Sequence, residues 1–564
     1  MEENLQSTPE GTYEQFETSE IVDSKKKFHK KKLLSFHPLI KYILATFTVL
    51  CLLLLVFYLT QDNSSNKIHS PLEEKPSPEK AEVDSKNIKN PSEKKANDYA
   101  IKATYFTKED NENINLIGFV PDFPLRMTID GKTVESTKTF TFPKKGEHTV
   151  LIKSNFTKLT SAKRLFYKVY KLTKLEFTPL FDTRNIKDMK SMFYECTELT
   201  SIELSHFNTQ NVKNMELMFA NCRKLKSIDL SHFDTRNVKS MANLFEDCVS
   251  LTELNLSNFN TKEVKEMGFM FFGCSSLISL DISSFNTEKV TTMEYMFKGC
   301  TSLTSIDVSH FNTENVVSLS RMFEKCTSLI SIDLSNFYTP KVSSISSMFF
   351  ECTNLERVNV KNFNTENVVG MNGLFNGCKS LTSLDISNFR TNNVINMNLM
   401  FNGCSSLTSL NISNFNTENV QYMDETFQGC SELRTLDVSS FNTKNVGTMV
   451  SLFQGCKSLT SIDVSNFNIE NAENIKHMFY GCESLEKIDL SNLNPKNVYR
   501  MEYMFYKCTN LKYIDISQFE LDKIKIADMF NDLPDKGLIR LKQSLYERIE
   551  HDIPPNWEIA IVDN

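Results

Sequence analysis

The chain has 564 residues, of which 40% are hydrophobic and 24% are charged, so it is long and apolar enough to bury a large core. The formal net charge is −7, and an obvious cluster of Lys and Arg occurs only near the N-terminus. Nucleic-acid binding requires clustered cations, so this balance predicts no nucleic-acid partner.

The N-terminal region contains one long apolar segment. Residues 42–60 (YILATFTVLCLLLLVFYLT) carry no charge and could cross a bilayer as a helix. Because Lys is more abundant before this segment than after it, we predict a cytosolic basic tail at 1–41, a transmembrane signal-anchor helix at 42–60 and an extracellular remainder. A cleaved signal peptide is the alternative, but it requires a shorter apolar core and a small-residue cleavage site.

Two segments of different character follow. Residues 61–98 are rich in Lys, Glu, Ser, Asn and Pro, which predicts a disordered stalk. Residues 99–155 alternate apolar with polar residues and carry turn signals at Gly131 and Gly146. They predict a small antiparallel β module that covers or spaces the end of the next domain.

The rest of the chain is governed by a repeat. Each Cys in this part is 26 residues from the next, and every one has Phe three residues before it and Leu three residues after it. Such a period indicates one structural unit stacked many times. The repeated cysteines are Cys196, Cys222, Cys248, Cys274, Cys300, Cys326, Cys352, Cys378, Cys404, Cys430, Cys456, Cys482 and Cys508.

Each repeat contains two local patterns. Apolar residues at the sixth and eighth positions after Cys predict a short half-buried strand, whereas Val290, Met293 and Phe297 recur at helical spacing. Thr287 and its equivalents precede the helical segment and are expected to cap its first free amide groups. The predicted fold class is therefore an α/β solenoid, a leucine-rich-repeat-like right-handed coil stack with a parallel β ladder.

The predicted solenoid spans residues 186–530, with a degenerate N-terminal capping coil at 156–185 and a C-terminal cap at 531–564. Its segments MFKGCTSLTSIDVSHFNTENV (296–316) and MFNGCSSLTSLNISNFNTENV (400–420) resemble the BspA-type leucine-rich repeats of bacterial and protist surface proteins. The resemblance implies surface display and adhesion or binding of host molecules, without a shared enzymatic activity. An uncleaved N-terminal anchor departs from the attachment expected of that family.

The cysteine column allows two interpretations. A metal or redox array is one, but zinc needs ligands that converge on a point, whereas these residues form a line. The other is a stack of buried free thiols that act as small hydrophobes. We favour the second, and predict no metal and no cofactor.

Residues that flank the inward strand positions are expected to face outward on a concave surface. The seventh position after Cys is almost always Asp or Asn, so like charges stack and need compensation. Local hydrogen bonds from Ser or backbone groups are one explanation. A strip that binds cations or basic ligands is the other, strongest along Asp437, Asp463, Asp489 and Asp515.

One coil interrupts this acidic column. After Cys352 the outward positions are Arg357, Asn359 and Lys361, which is either sequence drift or a site of binding specificity. Tyr513 is a weaker exception near the C-terminal end.

The predicted function is adhesion to, or recognition of, an extracellular protein or glycan, with residues 42–60 as the membrane anchor. The predicted ligand-binding residues are Arg357, Asn359, Lys361, Asp437, Asp463, Asp489, Asp515 and Tyr513. A type II receptor that couples ligand binding to the cytosolic tail is the alternative. No catalytic residues are predicted, because the nine His are scattered and no Gly-rich phosphate loop occurs.

Overall fold

A computed structural model describes residues 98–519 and 525–562. The predicted tail (1–41), the transmembrane helix (42–60) and nearly all of the predicted stalk lie outside the described residues. Within those described, no helix is long and apolar enough to cross a bilayer.

The first described domain is a β module that continues into the solenoid. Its strands are β1 (Ile101–Thr107), β2 (Glu112–Asn115), β3 (Arg126–Ile129), β4 (Lys132–Val134), β5 (Thr139–Phe142) and β6 (Gly146–Lys153). These strands pair antiparallel, and the inward side chains of β1, such as Ala103 and Tyr105, are fully buried. Strand β7 (Leu172–Phe177) pairs antiparallel with β1 and parallel with β8 (Ser201–Glu203), so one sheet has the order β4-β3-β6-β1-β7-β8. The module therefore covers the N-terminal edge of the coil stack.

The repeats form a parallel β-solenoid. Equivalent residues of successive coils pair in register, as Ser279 does with Glu253. A second ladder of fourteen parallel bridges joins equivalent residues from Ser161 to Lys525. The coil strands are β9 (Glu253–Asn255), β10 (Ser279–Asp281), β11 (Ser331–Asp333), β12 (Arg357–Asn359), β13 (Lys487–Asp489) and β14 (Tyr513–Asp515).

The predicted helical turn in each coil is wrong. In the segment around Phe297, the N–H of Met296 donates to the Met293 carbonyl at 3.3 Å, while the N–H of Phe297 donates to Met322 of the next coil at 2.9 Å. The segment is thus a run of tight turns whose alternate amides bond between coils, and the i→i+3 turns produce the same apolar spacing as a helix. In the described residues the one α-helix, α1 (Gln543–Ile549), lies in the C-terminal cap.

The tight turns require two left-handed residues per coil, five residues and one residue before each Cys. Glycine adopts this conformation without the Cβ clash that costs other residues about 1–2 kcal/mol. The position just before Cys accordingly holds Gly in seven of the thirteen repeats. Gly429, at φ +72°, is one example.

The sequence predicted that the repeated Thr caps the segment that follows it, and this prediction is wrong. The Thr287 hydroxyl donates to the carbonyl of Asn312, 25 residues ahead, at 2.8 Å and accepts from the N–H of the same residue at 2.7 Å. It bridges two coils because the expected helix is absent. The same pair of bonds recurs at Thr183, Thr209, Thr235, Thr261, Thr339, Thr365, Thr391, Thr417 and Thr443, and Thr313 donates to the Tyr338 carbonyl at 2.7 Å.

Aromatic side chains fill the core as stacked columns. The ring centroid of Phe297 lies 5.6 Å from that of Phe271, with an interplanar angle of 7°, and 5.4 Å from that of Phe323, with an interplanar angle of 8°.

At the C-terminal end, β15 (Leu538–Leu541) and β16 (Glu558–Ile561) extend the sheet of β13 and β14. Trp557 closes this cap, where its ring contacts the backbone of Gly537 and its Nε1 donates to Pro534 at 2.8 Å.

The left-handed glycines give a direct test of the turn geometry. We expect Gly429→Ala to lower the free energy of unfolding by about 1–2 kcal/mol, because the added Cβ meets only ordinary contacts and the cost comes from φ. Gly447→Ala is the control, since Gly447 lies outside the left-handed region and a Cβ added there would lie 3.9 Å from the nearest atom of a non-adjacent residue, the Gln421 carbonyl oxygen. Thermal and urea unfolding of both variants provide the measurement; equal losses would contradict the assigned geometry.

Candidate functional site

The outward side chains of the coil strands form a continuous surface, here called the strand face. It consists of the residues at the fifth, seventh and ninth positions after each Cys, for example Ser279, Asp281 and Ser283, which are exposed, while Ile282 between them is buried. Because the coils stack in register, each position forms a column along the solenoid. Open depressions on the strand face include one of about 900 Å³ beside Arg357 and one of about 850 Å³ beside Asp463.

The acidic column is compensated locally, as the first of the two interpretations states. Asp281 Oδ1 accepts from the backbone N–H of Ser283 at 3.0 Å and from its hydroxyl at 2.7 Å. These bonds lower the pKa of Asp281, so its carboxylate is charged at neutral pH. The pKa is lowered in the same way at Glu203, Asp229, Asp307, Asp333, Asp385, Asp437, Asp463 and Asp489. The Asp-x-Ser spacing was a usable sequence signal for this turn.

Three of the four residues of the predicted acidic strip face outward. Asp437, Asp463 and Asp489 are exposed and line one depression together with Lys487. Asp515 does not face outward, because it is 2% exposed. Strand β15 of the C-terminal cap pairs with β14 and places Arg540 beside it, 3.4 Å from its carboxylate.

The half-buried Tyr513 belongs to the same closure. Its hydroxyl donates to Asp515 Oδ2 at 3.2 Å, so the two residues bond to each other within the cap. Among the described residues, no group of three or more His, Cys, Asp or Glu side chains could hold a metal ion.

The basic residues of the coil after Cys352 are presented on the strand face. Arg357 and Asn359 lie on β12, opposite Ser331 and Asp333 of the preceding coil, and both are exposed. Asn359 Oδ1 accepts from the N–H of Lys361 at 3.2 Å, which keeps the turn that Asp makes elsewhere. Asp333 and Asp385 line the same depression. The coil thus places two cations between carboxylates of neighbouring coils.

The cysteine column lies in the core, and its interpretation as buried free thiols is confirmed. Each thiol donates to the carbonyl of a Phe in an earlier coil or, at the N-terminal end, the capping coil; Cys300 donates to Phe271 at 3.2 Å. Burial raises the pKa of Cys300 to about 12, so the thiol stays protonated and is a poor nucleophile and a poor metal ligand.

Comparison with known families identifies the repeat region. Four overlapping segments, 160–279, 250–357, 343–460 and 423–536, match the family described as Mycoplasma protein of unknown function, DUF285. The chain belongs to this family. The matched region, 160–536, comprises about two thirds of the residues and coincides with the coil stack and its capping coil. A search of curated proteins gave no match.

The buried thiols predict a pH dependence of stability. An unfolded thiol has a pKa near 8.5, and burial raises the folded value, so this stabilising contribution is complete below about pH 8.5 and is lost as the pH rises toward the folded pKa. Each thiol can contribute about 1.4 kcal/mol per pH unit. We expect the urea midpoint to fall steeply between about pH 8.5 and 9.5. Replacing Cys300 and Cys326 by Ala should reduce this slope; an unchanged slope would contradict the assignment.

The Asp-x-Ser turns predict a difference between two substitutions at one site. Asp281→Asn keeps an acceptor for the Ser283 N–H, as Asn255 does for Ser257 in the native chain, and should leave neutral-pH stability nearly unchanged. Asp281→Ala removes the acceptor and should cost about 1 kcal/mol. Urea unfolding at pH 7 measures both, and equal effects would refute a local role for the carboxylate.

Proposed function

We propose that the chain is a surface recognition protein, anchored by residues 42–60 with its solenoid outside the cell, whose strand face binds an extracellular protein or glycan and catalyses no reaction. The family match supports a repeat protein of the structural or binding kind. The BspA-type motifs support surface display and adhesion.

The observation that carries the proposal is the presentation of Arg357 and Lys361. Both side chains are exposed in an open depression, on a face whose other outward residues are mostly small or acidic. Their backbone is held by parallel pairing and by the Asn359 turn, so little conformational entropy is lost there when a ligand binds. A ligand with both anionic and hydrogen-bonding groups fits this mixed surface, since Asp333 and Asp385 lie on either side.

Binding by purified full-length chain in detergent micelles tests the proposal. The ligands to be tested are the glycans of a glycan array and the extracellular proteins of the cells to which the protein's own cell adheres. We expect Arg357→Ser/Lys361→Ser to weaken capture at least about tenfold, because two cations on a preorganised surface are removed.

The matched control is Lys379→Ser/Lys444→Ser, which removes the same charge from two exposed positions in separate coils. It should bind like the parent. If both double variants bind equally, the strand-face site is refuted. Protease treatment of intact cells tests the topology, because cleavage of the solenoid from outside is expected, and full protection would refute the extracellular assignment.

A further inference from the structure

Four lysines form a column on a surface that does not include the strand face. Lys187, Lys213, Lys239 and Lys265 occupy the same position in four consecutive coils, and all four are exposed. The N–H of Lys213 donates to the Lys187 carbonyl at 2.8 Å, and the bonds from Lys239 to Lys213 and from Lys265 to Lys239 are both 2.9 Å. At about 4.8 Å per coil, the column is a straight row roughly 14 Å long. These four residues are here called the lysine column.

The lysine column lacks the compensation found elsewhere on the molecule. At other positions, Lys and Glu 26 residues apart pair between coils, as in Lys190 with Glu216 at 2.6 Å and Lys289 with Glu263 at 2.7 Å. No ammonium group of the column forms an ion pair with any residue in the described part of the chain. Like charges stacked in register destabilise a sheet, so the column weakens the scaffold.

The basic character is restricted to these four coils. The four-residue segments that end at each lysine of the column (184–187, 210–213, 236–239 and 262–265) contain seven Lys or Arg and one Glu. The nine equivalent segments that follow, from 288–291 to 496–499, contain four Lys and six Glu. The equivalent position in the next nine coils, from Thr291 to Tyr499, holds no Lys or Arg.

Several other charged side chains near the column form ion pairs, which leaves the four ammonium groups as charges that a ligand could contact. Arg184 and Arg236 are bound to Asp182 and Asp234 at 2.7 and 2.9 Å. The carboxylate of Glu263 is held by Lys289; this bond lowers the pKa of Glu263, with smaller contributions from the charges of Lys262 and of Lys239 in the column. An anionic ligand would therefore meet a row of ammonium groups, with local carboxylates already neutralised.

We propose that the lysine column binds a linear polyanion of the acidic-polysaccharide class, whose sulfate or carboxylate groups repeat along an extended chain. A straight row of flexible point charges matches such a chain. Single-stranded nucleic acid is favoured less, because base binding uses aromatic residues beside the cations, and the four segments contain none. A lipid surface is favoured less because the cations form a row rather than a plane. The site shares no residue with the strand face and does not depend on the function proposed for it.

Heparin and dextran sulfate are the probes, with neutral dextran for comparison, and the full-length chain in detergent is the protein. We expect Lys213→Gln/Lys239→Gln to weaken binding to both sulfated probes by about tenfold and to reduce the slope of log affinity against log salt by roughly two. Lys379→Gln/Lys444→Gln changes the net charge equally outside the column and should retain parental affinity and slope. Neutral dextran should not bind.

The double variant removes repulsion, so it should unfold at a temperature no lower than the parent, and lost binding then cannot reflect lost folding. Equal weakening in the two double variants would overturn the column as the site. Tighter, lysine-dependent binding of single-stranded DNA, or of phosphatidylserine vesicles, would overturn the polysaccharide assignment.

Discussion

The in-register hydrogen bonding between successive coils determines the rest of this structure. Alternate backbone amides of each turn segment donate to the coil that follows, so every side chain has its own equivalent, 26 residues away, as a neighbour. A side chain at a buried position must therefore pack well against the same side chain in the next coil. Phe meets this condition by parallel stacking at 5.4–6.2 Å along the column that contains Phe193 and Phe297, and Cys meets it by donating to a carbonyl of another coil.

The same constraint explains why the period is kept without insertions. Buried turns leave backbone groups that must be paired, and Thr and Asn side chains pair them at fixed offsets between coils. Thr287 satisfies both backbone groups of Asn312, and Asn315 donates to the Glu288 carbonyl at 2.8 Å. One inserted residue would misalign these bonds together, and each buried backbone group that lost its partner would cost about 1–3 kcal/mol. Ladder bonding therefore selects the repeat length as strongly as the apolar core does.

The stacked fold, the inward residues and the buried thiols could be predicted from the sequence, because a strict period makes one coil represent all of them. The backbone of the turn segment could not, since the spacing of Met293, Phe297 and Cys300 fits consecutive i→i+3 turns as well as a helix. The glycine before Cys was the available signal for left-handed turns. The burial of Asp515 depends on β15, a strand outside the repeat. The lysine column also escaped prediction, because its residues lie in the turn segment that was predicted to be helical, whereas the Asp column lies on the predicted strand.

The columns of charged residues distinguish positions that serve folding from positions that serve binding. A repeat that stacks each residue on its own copy must compensate every charge it repeats. The Asp column is compensated by Ser donors within each coil, and many Lys are compensated by Glu one coil away. In the described residues no lysine of the column forms an ion pair, and the one neighbouring carboxylate that Lys239 attracts, Glu263, is already bound to Lys289. A uniform scaffold that leaves one basic row uncompensated over four coils retains an electrostatic cost that an external anion would remove. The row is therefore better explained by binding than by folding.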